Sequence, residues 1–140
     1  MYCDHFKMTA QPFSERAPVE HILKDERMMQ AMARLEFMVQ NGTIALLTGQ
    51  TGVGKSSLLK LFLNSLNSNR YHPVYLHVTH IESSNSFLKL IVSGLGEIPK
   101  YTKERVFMQI LQKARASEPM IILIIDEGQL LKSETLTDLR

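Results

Sequence analysis

The sequence contains a single cysteine, Cys3, and no long apolar run. One thiol cannot form an internal disulfide, so a reducing compartment is the simplest expectation. No stretch approaches the roughly 20 apolar residues that a membrane-spanning helix needs, and the first ten residues contain no apolar secretory core. These absences lead us to expect a soluble, cytoplasmic protein.

The sequence also lacks a strong excess of charge of either sign. Its 16 Lys and Arg residues against 14 Asp and Glu residues give a formal net charge of +2. This value is too close to neutral to indicate a nucleic-acid partner by itself. The apolar fraction of 44% and the charged fraction of 21% argue against disorder, and a chain of 140 residues is long enough for one domain with a core.

Apolar periodicity and chain breakers predict alternating helices and strands after an N-terminal arm. The arm, residues 1–18, is expected to be extended because Pro12 and Pro18 withhold backbone donors. One domain follows over 19–140, and its order of elements predicts an α/β layered fold with parallel strands. The predicted helices are 19–40, 55–68, 83–95, 103–116 and one from 134, and the predicted strands are 43–48, 74–79 and 120–125. The second helix should bury Leu58, Leu59, Phe62, Leu63 and Leu66.

Residues 49–56 read GQTGVGKS and match the phosphate-binding pattern G-x-x-x-x-G-K-[ST] in full. Glycines let backbone N–H groups approach phosphate oxygens, and the helix that follows directs its positive N-terminal end at the anion. Lys55 can reach the β- and γ-phosphates, the Ser56 hydroxyl can bind Mg²⁺, and Ser57 can contact the α-phosphate. A chance match in a turn is disfavoured, because a predicted strand precedes the motif and a predicted helix follows it. The predicted binding residues are Gly49, Gln50, Thr51, Gly52, Val53, Gly54, Lys55, Ser56 and Ser57.

Two acidic residues, Asp126 and Glu127, directly follow the apolar strand predicted over 120–125. In phosphate-loop enzymes, an Asp at such a strand end holds Mg²⁺, usually through water. The adjacent Glu can orient and deprotonate the attacking water. The alternative, two solvated acids at a strand end, is less favoured in a chain with a complete phosphate loop. We therefore predict Ser56 and Asp126 as metal ligands, and Glu127 and Lys55 as catalytic residues.

The chain resembles AAA+ ATPases of the general-secretion-pathway-A type and the related ATP-binding helper proteins of bacterial transposition systems. The resemblance is carried by His5-Phe6 and Pro12-Phe13, by GQTGVGKSS at 49–57 and by IILIIDEGQLL at 121–131. It implies a three-layer P-loop NTPase fold with a parallel sheet, ATP and Mg²⁺ as ligands, and a cytoplasmic location in a bacterium. It also implies an oligomer or a partner subunit, and an aromatic arm near the adenine. Plain core packing explains Phe6 and Phe13 equally well.

The resemblance covers only the front part of the family's ATPase domain. The family's sheet has the strand order 5-1-4-3-2, and the sequence supplies candidates for the first three strands only. The sensor strand, the arginine finger and the helical lid have no candidate, so we expect a domain truncated after the Walker B strand, the strand predicted over 120–125. Three functions stay open: an ATPase that drives a partner, a truncated ATP-binding module with little hydrolysis, and an ATP-dependent accessory protein of DNA transposition.

Two weaker patterns concern metal and DNA binding. His77 and His80 stand three residues apart and could share a metal, but no third ligand lies beside them. His77 or Thr79 could instead sense the γ-phosphate. One predicted helix carries basic residues that could contact DNA, although a solvated helix face is favoured because Glu104 and Glu118 are close in sequence. The basic residues are Lys103, Arg105, Lys113 and Arg115.

Overall fold

The computed structural model describes residues 2–9, 11, 18–79 and 83–138. The chain divides into two compact units, Met1–Leu66 and Asn67–Arg140, and each is described by itself. Pro12, Phe13 and His80, which the sequence analysis singled out, lie outside the described residues. Within the described part of the chain, no helix has both the length and the apolar character needed to span a membrane.

The first unit is built from helices. They are α1 (Tyr2–His5), a short 3₁₀ turn (Val19–His21), α2 (Glu26–Gln40) and α3 (Lys55–Ser65). The expectation of an extended arm is wrong at α1, because this turn is closed by its own hydrogen bonds, including one from the Met8 N–H to the Cys3 carbonyl at 2.8 Å.

Helix α2 begins later than predicted and ends where predicted. The Asp25 side chain accepts a hydrogen bond from the Met28 N–H at 2.8 Å, which caps the helix and explains its start at Glu26. At the other end Gly42 has a φ of +60°. This left-handed conformation suits glycine and stops the helix, as the Asn41-Gly42 pair predicts.

The strand predicted over residues 43–48 is wrong, because residues 43–50 form neither a strand nor a helix. Ile44 and Leu46 are 82% and 87% exposed. A strand requires a hydrogen-bonded neighbour, and among the described residues the only sheet has two strands, neither of which includes this segment. Thr43 instead bonds back to α2: its N–H and its hydroxyl donate to the Met38 carbonyl at 3.1 and 3.2 Å.

The second unit contains a parallel sheet of two described strands with helices between and after them. The elements are β1 (Tyr71–His77), α4 (Ser84–Gly94), α5 (Lys103–Ala116), β2 (Met120–Asp126), a 3₁₀ turn (Gly128–Leu130) and α6 (Ser133–Asp138). The predicted parallel direction is confirmed, with Val74 opposite Leu123 and His77 opposite Asp126. The carboxyl ends of the two strands are therefore adjacent, as a functional site at a parallel sheet requires.

One apolar core holds this second unit together. One face of β1 packs against α4, and buried side chains from α5 and from the segment before α6 complete the cluster. Each such side chain contributes on the order of 1.5–3 kcal/mol when fully buried, so the sheet and its strand ends are firmly positioned. The buried members are Val74, Leu76, Val78, Phe87, Leu88, Ile91, Val92, Leu95, Val106 and Leu131.

Two ion pairs tie the predicted basic helix, α5, to the rest of the second unit. The Lys103 ammonium lies 2.7 Å from the Asp138 carboxylate, which also accepts a hydrogen bond from the Ser84 hydroxyl. Lys113 pairs with Glu97 at 3.3 Å. Two of the four basic side chains are thus engaged with acids, which reduces the positive charge that this helix could offer to DNA.

The Asp138 contacts predict a pH-dependent stability. The hydrogen bonds from Lys103 and Ser84 lower the pKa of Asp138 below its ordinary value. A depressed carboxyl pKa stabilises the folded state above the unfolded pKa, and this contribution is lost as the pH falls through the folded pKa. We expect Asp138→Asn to lower the melting temperature near pH 7, and the difference from the unsubstituted protein to shrink between about pH 5 and about pH 2. Melts followed by circular dichroism measure this, and a difference that stays constant with pH would contradict it.

Candidate nucleotide-binding site

The phosphate loop lies between the unpaired segment that ends at residue 48 and the first turn of α3. Gly52 and Gly54 have φ values of +84° and +97°, in the left-handed region that other residues enter only with strain. When left-handed and right-handed residues alternate, successive backbone N–H groups point into one concavity, which can bind an anion. At these two positions the loop backbone has a conformation that favours glycine.

Lys55 is held against the start of the loop. Its ammonium donates to the carbonyl of Gly49 at 2.8 Å and to that of Gln50 at 3.0 Å. The Val53 N–H also donates to the Gln50 carbonyl, at 3.3 Å. These bonds close the loop on itself and place a cation beside the N-terminus of α3.

The first turn of α3 presents backbone donors and hydroxyls. Its first intrahelical hydrogen bond runs from the Leu58 N–H to the Gly54 carbonyl, at 2.9 Å. The N–H groups of residues 55–57 precede that bond and have no acceptor within the helix. Ser56 is exposed and Ser57 half-buried. The N-terminus of α3 therefore has the free N–H groups and the positive end of the helix dipole that favour phosphate binding.

The left-handed glycine at the start of α3 yields a testable prediction. A Cβ on Gly54 would lie 3.6 Å from the Met28 methyl carbon, an ordinary contact, so the cost of Gly54→Ala comes from the backbone. Such a conformation costs about 1–2 kcal/mol in other residues, and we expect nucleotide affinity to fall by up to about thirtyfold as the loop distorts. Titration with a fluorescent ATP analogue measures this.

The matched control for that substitution is Gly42→Ala. Gly42 also has a positive φ, at +60°, and a Cβ there would meet nothing within 4 Å. This glycine ends α2 and lies outside the loop, so the control should lower stability without changing nucleotide affinity. Equal losses of affinity in the two variants would show that general destabilisation, and not loop geometry, is responsible.

The acidic pair lies at the carboxyl end of β2, where both oxygens of Asp126 accept hydrogen bonds. Oδ1 accepts from the Glu127 N–H at 3.0 Å, and Oδ2 accepts from the Tyr75 hydroxyl. His77 Nδ1 lies 3.7 Å from Oδ2. Tyr75 belongs to none of the sequence motifs. No sequence motif points to it, because the contact depends on the strand register that places His77 opposite Asp126.

These contacts shift the pKa values of both partners. Partial burial, the hydrogen bond to Asp126, and the nearby carboxylate charges together raise the pKa of Tyr75 to about 12. The Tyr75 hydrogen bond, followed by the bond from the Glu127 N–H, lowers the pKa of Asp126 below its ordinary value. Asp126 is therefore an ionised acceptor at neutral pH, and Tyr75 is its neutral donor.

Glu127 has an unusual backbone conformation. Its φ is +58°, where β2 gives way to the 3₁₀ turn Gly128–Leu130. A left-handed non-glycine residue is costly, and such residues are concentrated at functional sites. The Gln129 amide donates to the Glu127 carboxylate and thereby orients it. Gln129 belongs to the stretch 121–131 that carries the family resemblance, but no motif predicts a role for its side chain.

The weaker sequence predictions concern His77, Thr79 and Phe6 among the described residues. The described residues contain no group of three or more His, Cys, Asp or Glu side chains that could hold a metal. His77 pairs with Asp126, and Thr79 is exposed. Phe6 is 64% exposed and contacts the His5 ring edge to face at 4.9 Å, so the core-packing interpretation of Phe6 is wrong.

One protein-family model matches a range of the chain that contains both nucleotide motifs. Residues 38–140 match the family model described as "AAA domain". The match covers well over half of the chain and includes both the phosphate loop and the acidic pair. A search of curated proteins finds no match.

Proposed function

The chain belongs to the AAA domain family, and from this premise we propose that it is a Mg²⁺-dependent module that binds and hydrolyses ATP. The phosphate loop carries the proposal: its two left-handed glycines and the Lys55 ammonium lie at the N-terminus of α3. In the proposed role, the nucleotide cycle drives or regulates the assembly of a partner. ATP supplies the anion that this loop is suited to hold.

The residues present fit Mg²⁺ bound together with a nucleotide. Magnesium prefers hard oxygen ligands, and it is usually held by one or two carboxylates plus substrate phosphates instead of an all-protein cage. The Ser56 hydroxyl and the Asp126 carboxylate each offer an oxygen ligand of this kind. When bound, the ion neutralises charge on the phosphates.

The remaining roles follow from side-chain chemistry. Lys55 donates charge-assisted hydrogen bonds to the β- and γ-phosphate oxygens. Glu127 accepts the proton of the attacking water, and the Gln129 amide holds its carboxylate in one orientation. The backbone donors of residues 55–57 bind the α- and β-phosphates. Each role belongs to a group whose neighbours already restrict its position.

Within the family, we infer the general-secretion-pathway-A or transposition-helper type. The opening residues His5-Phe6 and Pro12-Phe13, and Gln129 within the stretch DEGQ, support this inference. The proposed setting is the cytoplasm, where a lone cysteine stays reduced, and the proposed working state is a homo-oligomer or a complex with a partner subunit. The alternative of an ATP-binding module with little hydrolysis uses the same loop, and phosphate release distinguishes the two.

Thermal stabilisation by nucleotides tests the binding proposal directly. A ligand at 100 times its dissociation constant stabilises the folded state by about 2.7 kcal/mol. We expect ATP with Mg²⁺ to raise the melting temperature, and AMP at the same concentration to have almost no effect, because AMP lacks the β- and γ-phosphates that Lys55 contacts. Equal shifts with ATP and AMP would contradict recognition by the phosphate loop.

A further inference from the structure

Tyr75 has no part in the proposed function, yet its hydroxyl touches the predicted magnesium ligand. We propose that Tyr75 is a positioning residue, which fixes the Asp126 carboxylate in the orientation that Mg²⁺·ATP requires. This inference rests on the proposed function, since it concerns how Asp126 contributes to magnesium binding. It assigns a role to β1, the strand that carries none of the nucleotide motifs.

The strand register brings the two side chains together. Tyr75 lies opposite Ile124, and His77 lies opposite Asp126. Side chains two residues apart on a strand share a face, so Tyr75, His77 and Asp126 lie on one face of the sheet. The Tyr75 ring crosses diagonally to the end of β2, where its hydroxyl donates to Asp126 Oδ2.

The hydrogen bonds of Asp126 leave it able to bind a cation. An ionised carboxylate has about four lone-pair sites, two on each oxygen. The Glu127 N–H occupies one site on Oδ1, at 3.0 Å, and the Tyr75 hydroxyl occupies one on Oδ2. One site per oxygen is left, while rotation of the carboxylate is restricted from both sides.

The chemical type of the donor matters for this role. A phenol is a neutral donor, so it orients the carboxylate without cancelling its charge as Lys or Arg would. His77 Nδ1, at 3.7 Å from Oδ2, is too far for a hydrogen bond. Tyr75 is thus the side chain that orients Oδ2 among the described residues.

The expected loss of magnesium affinity on removing the Tyr75 hydroxyl can be estimated from other groups that orient metal ligands. Their removal typically costs about 10- to 100-fold in metal affinity. For Tyr75→Phe we expect the gain in nucleotide affinity on adding Mg²⁺ to fall by about tenfold or more, and the affinity without Mg²⁺ to be unchanged. A merely structural role would instead lower both affinities together.

The experiment measures binding and not turnover. A fluorescent ATP analogue is titrated into the full chain with Mg²⁺ and again with a chelator, for the unsubstituted protein, Tyr75→Phe and Tyr71→Phe. Tyr71 lies on the same strand and face, and the described residues offer its hydroxyl no hydrogen bond. Asp126→Asn serves as the reference for complete loss of the magnesium effect. Tyr75→Phe keeps a ring that is 47% exposed, and a melting curve verifies its folding.

The outcomes separate this inference from the function on which it rests. Loss of the magnesium effect in Tyr75→Phe, with Tyr71→Phe unchanged, supports positioning by Tyr75. A full magnesium effect in Tyr75→Phe, or equal losses with and without Mg²⁺, overturns it while leaving the proposed function intact. Failure of the unsubstituted protein to bind the analogue overturns the proposed function and, with it, this inference.

Discussion

Replacing Glu127 with Gln is expected to abolish most ATP turnover while leaving ATP binding intact. Glutamine keeps the size of the side chain and its ability to bond with Gln129, but it cannot accept a proton from the attacking water. Because that transfer occurs only in the transition state, the loss falls on the catalytic rate and not on ground-state affinity. General-base catalysis is typically worth about 10²–10⁴ in rate, so phosphate release should drop by that factor.

Glu134→Gln is the control for this substitution. Glu134 is an exposed acid in the first turn of α6, close in sequence to the acidic pair, and its loss removes the same charge. We expect this variant to keep normal phosphate release. Measurable turnover that is the same in Glu127→Gln and the unsubstituted protein would remove Glu127 from the catalytic assignment.

Replacing Lys55 with Ala is expected to reduce ATP affinity by about ten- to a hundredfold. The ammonium compensates charge between the β- and γ-phosphates, and its loss leaves that charge facing backbone N–H groups alone. Hydrogen bonds of this charged kind are worth roughly 1.5–3 kcal/mol, which corresponds to the expected loss. The ammonium also bridges the carbonyls of Gly49 and Gln50, so its removal loosens the loop and adds to the effect.

The control for Lys55 is Lys24→Ala, which removes one exposed positive charge from the same unit. Direct titration of a fluorescent ATP analogue into both variants measures the difference, and melting curves verify that each is folded. Equal affinities in Lys55→Ala and the unsubstituted protein would show that the loop is not the nucleotide site.

Helix α5 shows how much local signals can predict. Its predicted bounds, 103–116, agree with those of the structure. The Thr102 side chain caps the start by accepting from the Arg105 N–H at 3.4 Å, and Pro119 follows the end. Capping residues and helix breakers act within a few residues of their own position. The bounds of such a helix can therefore be predicted from the sequence alone.

The buried face of α3 was predicted only in part. Leu58 and Phe62 are buried as expected, whereas Leu59, Leu63 and Leu66 are half-buried. Leu61, at 4% exposure, was missed. Helical periodicity predicts which face of the helix is apolar. Which residues of that face are most buried depends on the elements that pack against it.

The sequence by itself predicted the phosphate-loop motif, the acidic pair, the presence of helices α2 to α6 and the parallel direction of the strands, because each depends on local residue chemistry or on the order of elements. Only the tertiary structure decided whether residues 43–48 form a strand, since an apolar run becomes a strand only beside a hydrogen-bonded neighbour. It also decided the partner of Asp126, which is Tyr75, 51 positions away. Strand register creates that contact, and register is set by the packing of the whole sheet, not by the residues near either side chain.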